Sequence, residues 1–564
     1  MKEQQFVHFK PESVYAPESE KSRELAERTE LEFVVDPATG KIEKIGDPRD
    51  VNEWLEEEKK RNSELLVTPE IGGVALPGST DAHQHLMYGT LELIGAGYVF
   101  GAGSKGELIN QLKREIKQKD KTPQIFIGHN TANIPDFGRR EIDDITSKSG
   151  KPIAVFDASF HGARLNGPML ELVAEAAKKE RESGYQITGT IDRETGQVTE
   201  GYSILTLQVA EAHCGVEEMS EKMEKTLDGW IDQGITDIHE LFPTSWEEFI
   251  AILVTKKKWE EERKTDFPVR QFFMEPVIFG KLRKMQAELE KSGIFNPDRD
   301  WKMMGIKLVA DGSFGTYTAM TSEEYDNLGG KGIEFHSIKT LNKAIQMARE
   351  SGIENIAMHA IGDEGIQRAI EIAKRWKSIA EKAELNPTQF RIDHFELPNS
   401  QQIKEVGKLG IWVNSEPNFL TDYVYSDRLA NRVTQICPHA DIISRGIPMH
   451  FGSDGMPTSA LFGIWAATHH PNPRERISFE QALAAYSLTA ADYEHNYGRG
   501  RIAKGASADI VILKKEGLNK LLQGESSPEE FARMGKEGTA DMVTELESNI
   551  ARVYRQGRLV KKSK

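Results

Sequence analysis

The chain has 564 residues and only two cysteines, Cys214 and Cys437, far apart in sequence. So few thiols exclude a disulfide framework and a thiolate metal cluster, and they favour a reducing compartment. Long apolar runs are missing as well. No stretch approaches the roughly 20 residues that a membrane helix needs, and the opening "MKEQQFVHFKPE" has no apolar core of signal-peptide length. These absences predict a cytoplasmic protein with no membrane partner. Positive charge is in deficit, with 72 Lys and Arg against 88 Asp and Glu, a net charge of −16. That balance argues against nucleic acid as a partner and points to a small-molecule ligand. Heptads, low-complexity tracts and fixed-period repeats are also lacking. What is present is globular: 38% hydrophobic and 28% charged residues. The length calls for two or three structural units.

From about residue 235 to 460, short apolar runs alternate with helical stretches. The runs are "GITDIHELF", "VRQFFMEPVIF", "MGIKLVADG", "ENIAMHAIGD", "QFRIDHFEL", "LGIWVNSEP" and "IPMHFGSD". Segments such as "EGIQRAIEIAKRWKSIAEKAEL" and "SQQIKEVGKLG" carry helical periodicity between them. Strands alternating with helices imply a parallel sheet. With the opening "VALPGSTDAH" there are eight such runs, which predicts an α/β fold of the (β/α)8 TIM-barrel type. Residues 96–229 are too long for one βα connection. They contain strand-like runs ("QIFIGH", "KPIAVFDAS", "YQITGTID") and helices, and predict an inserted α/β lobe. Residues 1–75 hold the hairpin pattern "LEFVVDPATGKIEKIGD" and the helix "DVNEWLEEEKKRNSE". Residues 500–564 return to strand patterns in "ADIVILKKE" and "IARVYRQGRLV", expected to pair with that hairpin in a small β-sandwich built from both chain ends. The barrel then comprises 76–95 and 230–499.

In a parallel barrel, catalytic groups sit at the C-terminal ends of the strands. The first strand ends in "HQH". Residues i and i+2 of a strand face one way, so His83 and His85 share a face and can hold one ion or form a polar strand edge. The fourth strand carries Lys307, the fifth His359, the sixth His394, and the eighth ends in Asp454. Four of the fifteen histidines thus stand at comparable points on three of these strands. Each has a plainer reading: Lys307 as a salt-bridging lysine, His359 and His394 as core histidines, Asp454 as the N-cap before "TSALFGIW".

These stretches, "LPGSTDAHQHL", "KLVADGSFGTYTA", "MHAIGDEGIQRAI", "RIDHFEL", "GSDGMPTS" and "GRIAKGASADIVIL", resemble the amidohydrolase superfamily. The resemblance spans nearly the whole chain. Its wording is closest to the N-substituted formamide deformylase-like branch, amidohydrolase family 3. It implies a distorted barrel and one or two divalent metal ions, zinc first among candidates. Carried over, His83 and His85 bind the more buried ion, His359 and His394 the second, and a carboxylated Lys307 bridges the two. Asp454 binds metal and takes the proton of the attacking water. His161 and Asn166, in "KPIAVFDASFHGARLNGPML", match a His and an Asn near the branch's substrate side, although turn roles explain them as well. A homodimer is implied by resemblance alone.

The expected activity is metal-dependent hydrolysis of a non-peptide C–N bond, an amide or an N-formyl or N-acyl amine. Ring deamination is the alternative within the superfamily. It usually brings a catalytic Glu near the strand-five histidine and no bridging Lys, whereas here that strand reads "HAIGD" and Lys307 is present. An idle binding or regulatory protein on this scaffold would have lost a ligand, and all six positions are occupied. Glu416, at the end of the seventh run, matches no expected role, and His239 has no assigned role.

Overall fold

The computed structural model describes the chain except residues 1–4, 18–23, 92–95, 100, 118–120, 132–133, 158, 183–186, 242, 244, 264–266, 268, 275–300, 351–352, 354, 383–388 and 563–564. Eight strands form one parallel sheet: β1 (Ser79–Gln84), β2 (Ile235–Leu241), β3 (Val269–Met274), β4 (Trp301–Val309), β5 (Asn355–Ala360), β6 (Phe390–His394), β7 (Trp412–Ser415) and β8 (Met449–Phe451). Each pairs with the next in chain order, as a barrel of βα units requires. The strands read as continuous apolar runs because helices cover the outer face while the inner face fills the core. All seven residues of β2 and five of the six in β5 are buried.

The helices that return the chain follow from local chemistry. Between β6 and β7, Asn399 caps Ser400–Leu409 by accepting from the backbone N–H of Gln401 and Gln402. Gln402 reaches back to the Asn399 N–H, completing a capping box. Gly410 ends the helix at φ 68°, a conformation that costs glycine nothing. Residues 364–382 of the long helical stretch before β6 lie in the helix Asp363–Lys382, and its last three residues fall outside the described residues. So does the "EPVIF" end of the third run.

The first run divides at Pro77-Gly78. Ser79–Gln84 enters the barrel, while Val74–Pro77 pairs antiparallel with Ile510–Leu513 near the C-terminus. That pairing corrects one expectation. The hairpin strands Glu32–Asp36 and Lys41–Gly46 lie in a separate four-stranded sheet with Gln5–Lys10 and Leu66–Ile71. The C-terminal strands join a six-stranded sheet instead. The two sheets share a core in which Phe9, Phe33 and Val35 meet Ile510, Ile512 and Tyr554, so the chain ends meet face to face, and the hairpin also touches the C-terminal segment through the Lys41–Ser507 bridge.

Within residues 96–229 a five-stranded sheet runs from Gly97–Tyr98 through Gln124–His129, Ile153–Asp157 and Gly162–Leu165 to Gln197–Thr199. The run "YQITGTID" does not form one of these strands. Its first two residues are outside the described set, and of the rest only Ile191 bridges, to Val198.

Candidate metal centre

The barrel closes where β1 and β8 end, and the closure builds the site. The Asp454 N–H donates to the His83 carbonyl at 2.7 Å, and the Ser453 N–H donates to Asp81 Oδ1 at 2.9 Å. Gly452 permits this approach, since a Cβ there would lie 2.5 Å from His83 N and Cβ. Asp454 in this turn has φ 52°, and His394, at the end of β6, has φ 69°. Non-glycine residues in this region are strained and cluster at functional sites.

The strained turns bring side chains from three strands together. One ligand atom each from His83, His394 and Asp454 fall within 4.8 Å of one another. His85 Nε2 is 3.1 Å and His83 Nε2 3.7 Å from Asp454 Oδ1. Lys307 and His359 line the same cleft, which has a volume of about 500 Å³. The His359 ring centroid is 4.3 Å from that of His394, and its Nε2 is 3.1 Å from the Gly312 carbonyl. The Lys307 ammonium donates to Asp393 Oδ2, while Arg391 Nε lies 2.8 Å from Asp393 Oδ1.

Two of the imidazoles are held from behind. Glu416, buried at the end of β7, places Oε1 3.1 Å from His83 Nδ1 and Oε2 2.9 Å from His394 Nδ1. Asn414 donates its amide to Glu416 Oε1, and His450 Nδ1 lies 2.7 Å from Asn414 Oδ1.

The inserted lobe supplies the opposite wall. His161 Nδ1 is 2.7 Å from Glu200 Oε2, and both residues line the cleft. The His161 ring centroid is 5.1 Å from that of His359. Ser159 ties this loop to the barrel through Ser313 Oγ at 3.1 Å. Asn166 does not join the cleft. Its Oδ1 accepts from the Ile153 and Met169 N–H groups, and its Nδ2 donates to Thr146 Oγ1 and the Lys151 carbonyl. The amide is fully used in holding the lobe's own strand and helix together.

Electrostatics suit a cation. Burial, reinforced by the charge of Lys307, pulls His83 well below the ordinary histidine value. Burial and the neighbouring His394 do the same to His359. Neutral imidazoles keep the lone pairs that a metal needs. Burial alone would raise Asp454, but its hydrogen bond to His85 and the surrounding positive charge hold it below the usual carboxylate range. Burial likewise opposes ionisation of Asp393, and Arg391 and Lys307 outweigh it. His161 is lowered by burial, yet Glu200 holds it up at about 9. Converging imidazole nitrogens and an ionised carboxylate, backed by buried carboxylates on the far side of the rings, fit a divalent first-row ion.

Comparison with known proteins gives the family. The amidohydrolase family model matches residues 71–557. The chain belongs to the amidohydrolase family. A relative, the protein LONG AFTER FAR-RED 3 of Arabidopsis thaliana, is 25% identical over 484 residues, 78% of each chain. The putative amidohydrolase YtcJ of Bacillus subtilis is 28% identical over 225 residues, 37% of this chain and 41% of that protein. Among solved structures, an uncharacterized metal-dependent hydrolase from Pyrococcus horikoshii OT3 superposes with a TM-score of 0.67 at 21% identity, covering 92% of this chain and 99% of that one. This amidohydrolase therefore shares its fold with that metal-dependent hydrolase.

Sequence reasoning located the ligand candidates of the amidohydrolase but not their supports. Asp393 and Arg391 lie within three residues of His394, in "RIDH", and the alternation of that strand was the available signal. Glu416 was visible as an acidic residue at a strand end without a role. Glu200 gave no local signal, because the insertion folds back some 40 residues to bring it beside His161.

Proposed function

We propose that this amidohydrolase is a metal-dependent hydrolase of a non-peptide C–N bond, with an amide or an N-formyl or N-acyl amine as substrate, on the N-substituted formamide deformylase-like branch. The observation that carries the reading is the convergence of His83, His394 and Asp454 at the floor of the cleft. His83, His85, His394 and Asp454 would hold the ion, zinc by the chemistry of the donors, with His359 and a carboxylated Lys307 completing a second position. When bound, such an ion lowers the pKa of water toward about 7 and polarises a carbonyl.

The chain's own groups do the rest. Asp454, ionised at neutral pH, accepts the proton of the attacking water and returns it to the leaving nitrogen, so that amide and water become carboxylic acid and amine. Glu200 fixes His161 through Nδ1, and the other edge of the ring meets the substrate across the cleft from the ligands.

The test is hydrolysis of a panel of N-formyl and N-acyl amines by protein supplied with zinc and bicarbonate. Asp454→Asn should lower turnover at least 100-fold while the chain stays folded. Metal content should approach two ions per chain and fall in Lys307→Ala. One ion per chain, unaffected by that substitution, would withdraw the carboxylated lysine. Absence of any hydrolysis across the panel would sink the substrate class.

A further inference from the structure

Strand β7 contributes none of the expected ligands, yet its end lies between the ligand on β6 and, across the barrel closure, those on β1. Glu416 occupies that end. Its side chain is buried, and its two oxygens point to two different rings, His83 Nδ1 at 3.1 Å and His394 Nδ1 at 2.9 Å. An ionised carboxylate has lone pairs enough to accept from both, together with the Asn414 amide that converges on Oε1. With its proton on Nδ1, toward the carboxylate, each ring has its lone pair on Nε2; His83 Nδ1 also lies 3.3 Å from Asn414 Nδ2. His83 Nε2 is the atom that faces Asp454. His394 is fixed by Glu416 on one side and by the stacked Phe419 ring, at 5.5 Å, on another.

We propose that Glu416 is the positioning carboxylate of the metal centre, a single side chain that locks His83 and His394 through Nδ1 and presents both Nε2 atoms to one ion. Buried carboxylates behind ligating imidazoles fix the tautomer and make the ligand nitrogen more basic. Here one carboxylate serves two ligands from strands far apart in sequence, so its loss loosens both at once. Asn414 holds the carboxylate in turn, and His450 holds Asn414. The inference rests on the reading of this site as a metal centre and is independent of which C–N bond is cut.

The experiment measures zinc affinity by competition with a chromogenic chelator on the full chain, for wild type and Glu416→Gln. The expected result is a roughly 10- to 100-fold loss of affinity in Glu416→Gln, whose amide accepts from one ring only. Cobalt(II) in place of zinc reads the ligand set. Its visible bands should keep their positions in Glu416→Gln, because the coordinating atoms are unchanged. Unchanged zinc affinity overturns the positioning role. Shifted cobalt bands overturn it too, since they would make Glu416 a direct ligand. If Glu416→Gln does not fold, Asn414→Ser decides. It spares the carboxylate and removes its anchor, together with the Asn414 contacts to His83 Nδ1 and His450 Nδ1, and a several-fold loss of zinc affinity is expected, with no loss overturning the proposal. A wild-type chain that binds neither ion overturns this inference and the metal reading together, whereas hydrolysis failing while zinc binds leaves only the substrate class in error.

Discussion

Arg391 is fully buried, and its charge is answered on every side. Its guanidinium lies 2.8 Å from Asp393, donates to the Ala82 carbonyl, contacts His239 Nδ1 at 2.9 Å and sits 4.7 Å from the Phe272 ring. Asp393 in turn receives Lys307. Removing one member of such a set leaves a buried charge without compensation. Arg391→Met should therefore destabilise the protein by about 3–5 kcal/mol, read as a lower urea midpoint, despite the near match in volume. His336 makes a pH-dependent prediction at the same scale. Burial holds its pKa at about 4, and Nδ1 meets the Val309 carbonyl at 3.1 Å. The unfolded chain takes up a proton near the ordinary value of 6.5 while the folded chain does not. Stability from this group is thus complete above 6.5 and is lost as pH falls from 6.5 to about 4. Wild type should lose up to about 3 kcal/mol over that window relative to His336→Asn, measured by denaturation at several pH values.

At the scale of elements, the critical contact is the seam between β1 and β8. It has no regular strand ladder. The Asp454 and Ser453 N–H groups and the close approach at Gly452 hold it. Gly452→Ala inserts a methyl group against His83 backbone and Cβ, and strand ends in a packed barrel have little room to move. A loss of about 1–3 kcal/mol in stability is expected. Zinc affinity should fall along with it, because the displaced groups are His83 and Asp454 themselves. A surface control is available in the helix Ser400–Leu409. Asn399→Ala removes its cap and should cost about 1 kcal/mol with zinc affinity intact, since no metal ligand lies on that helix.

For the whole molecule, the converging candidates His83, His394 and Asp454 come from β1, β6 and the turn after β8, so an ion at their centre would tie the two ends of the barrel sequence together. Ligand binding to the folded state alone stabilises it by mass action, about 4 kcal/mol at a free concentration 1,000 times the dissociation constant. Chelation should lower the melting temperature and zinc should restore it, by scanning calorimetry on the same sample. The lobe of residues 96–229 is coupled to the same centre. Ser159 reaches Ser313, and His161 stands against His359. Among the described residues no helix is long and apolar enough to cross a membrane.

The sequence by itself determined the class of fold and the order of the ligand candidates along it. Apolar runs alternating with amphipathic helices leave a parallel barrel as the arrangement that buries both, and a barrel fixes that strand ends converge. His83, His85, Lys307, His359, His394 and Asp454 were legible as candidates for that reason, each lying at or near the C-terminal end of a strand. Tertiary structure decided what no run encodes. Val74–Pro77 left the barrel for the C-terminal strands because apolar faces pair by exposure and not by sequence distance. Asn166 was drawn into the lobe's interior, where four hydrogen bonds satisfy its amide. Glu416, Asp393 and Glu200 acquired partners only when strands and insertion were packed. A buried carboxylate is defined by the donors around it, and these donors lie on other elements, beyond the reach of any local pattern.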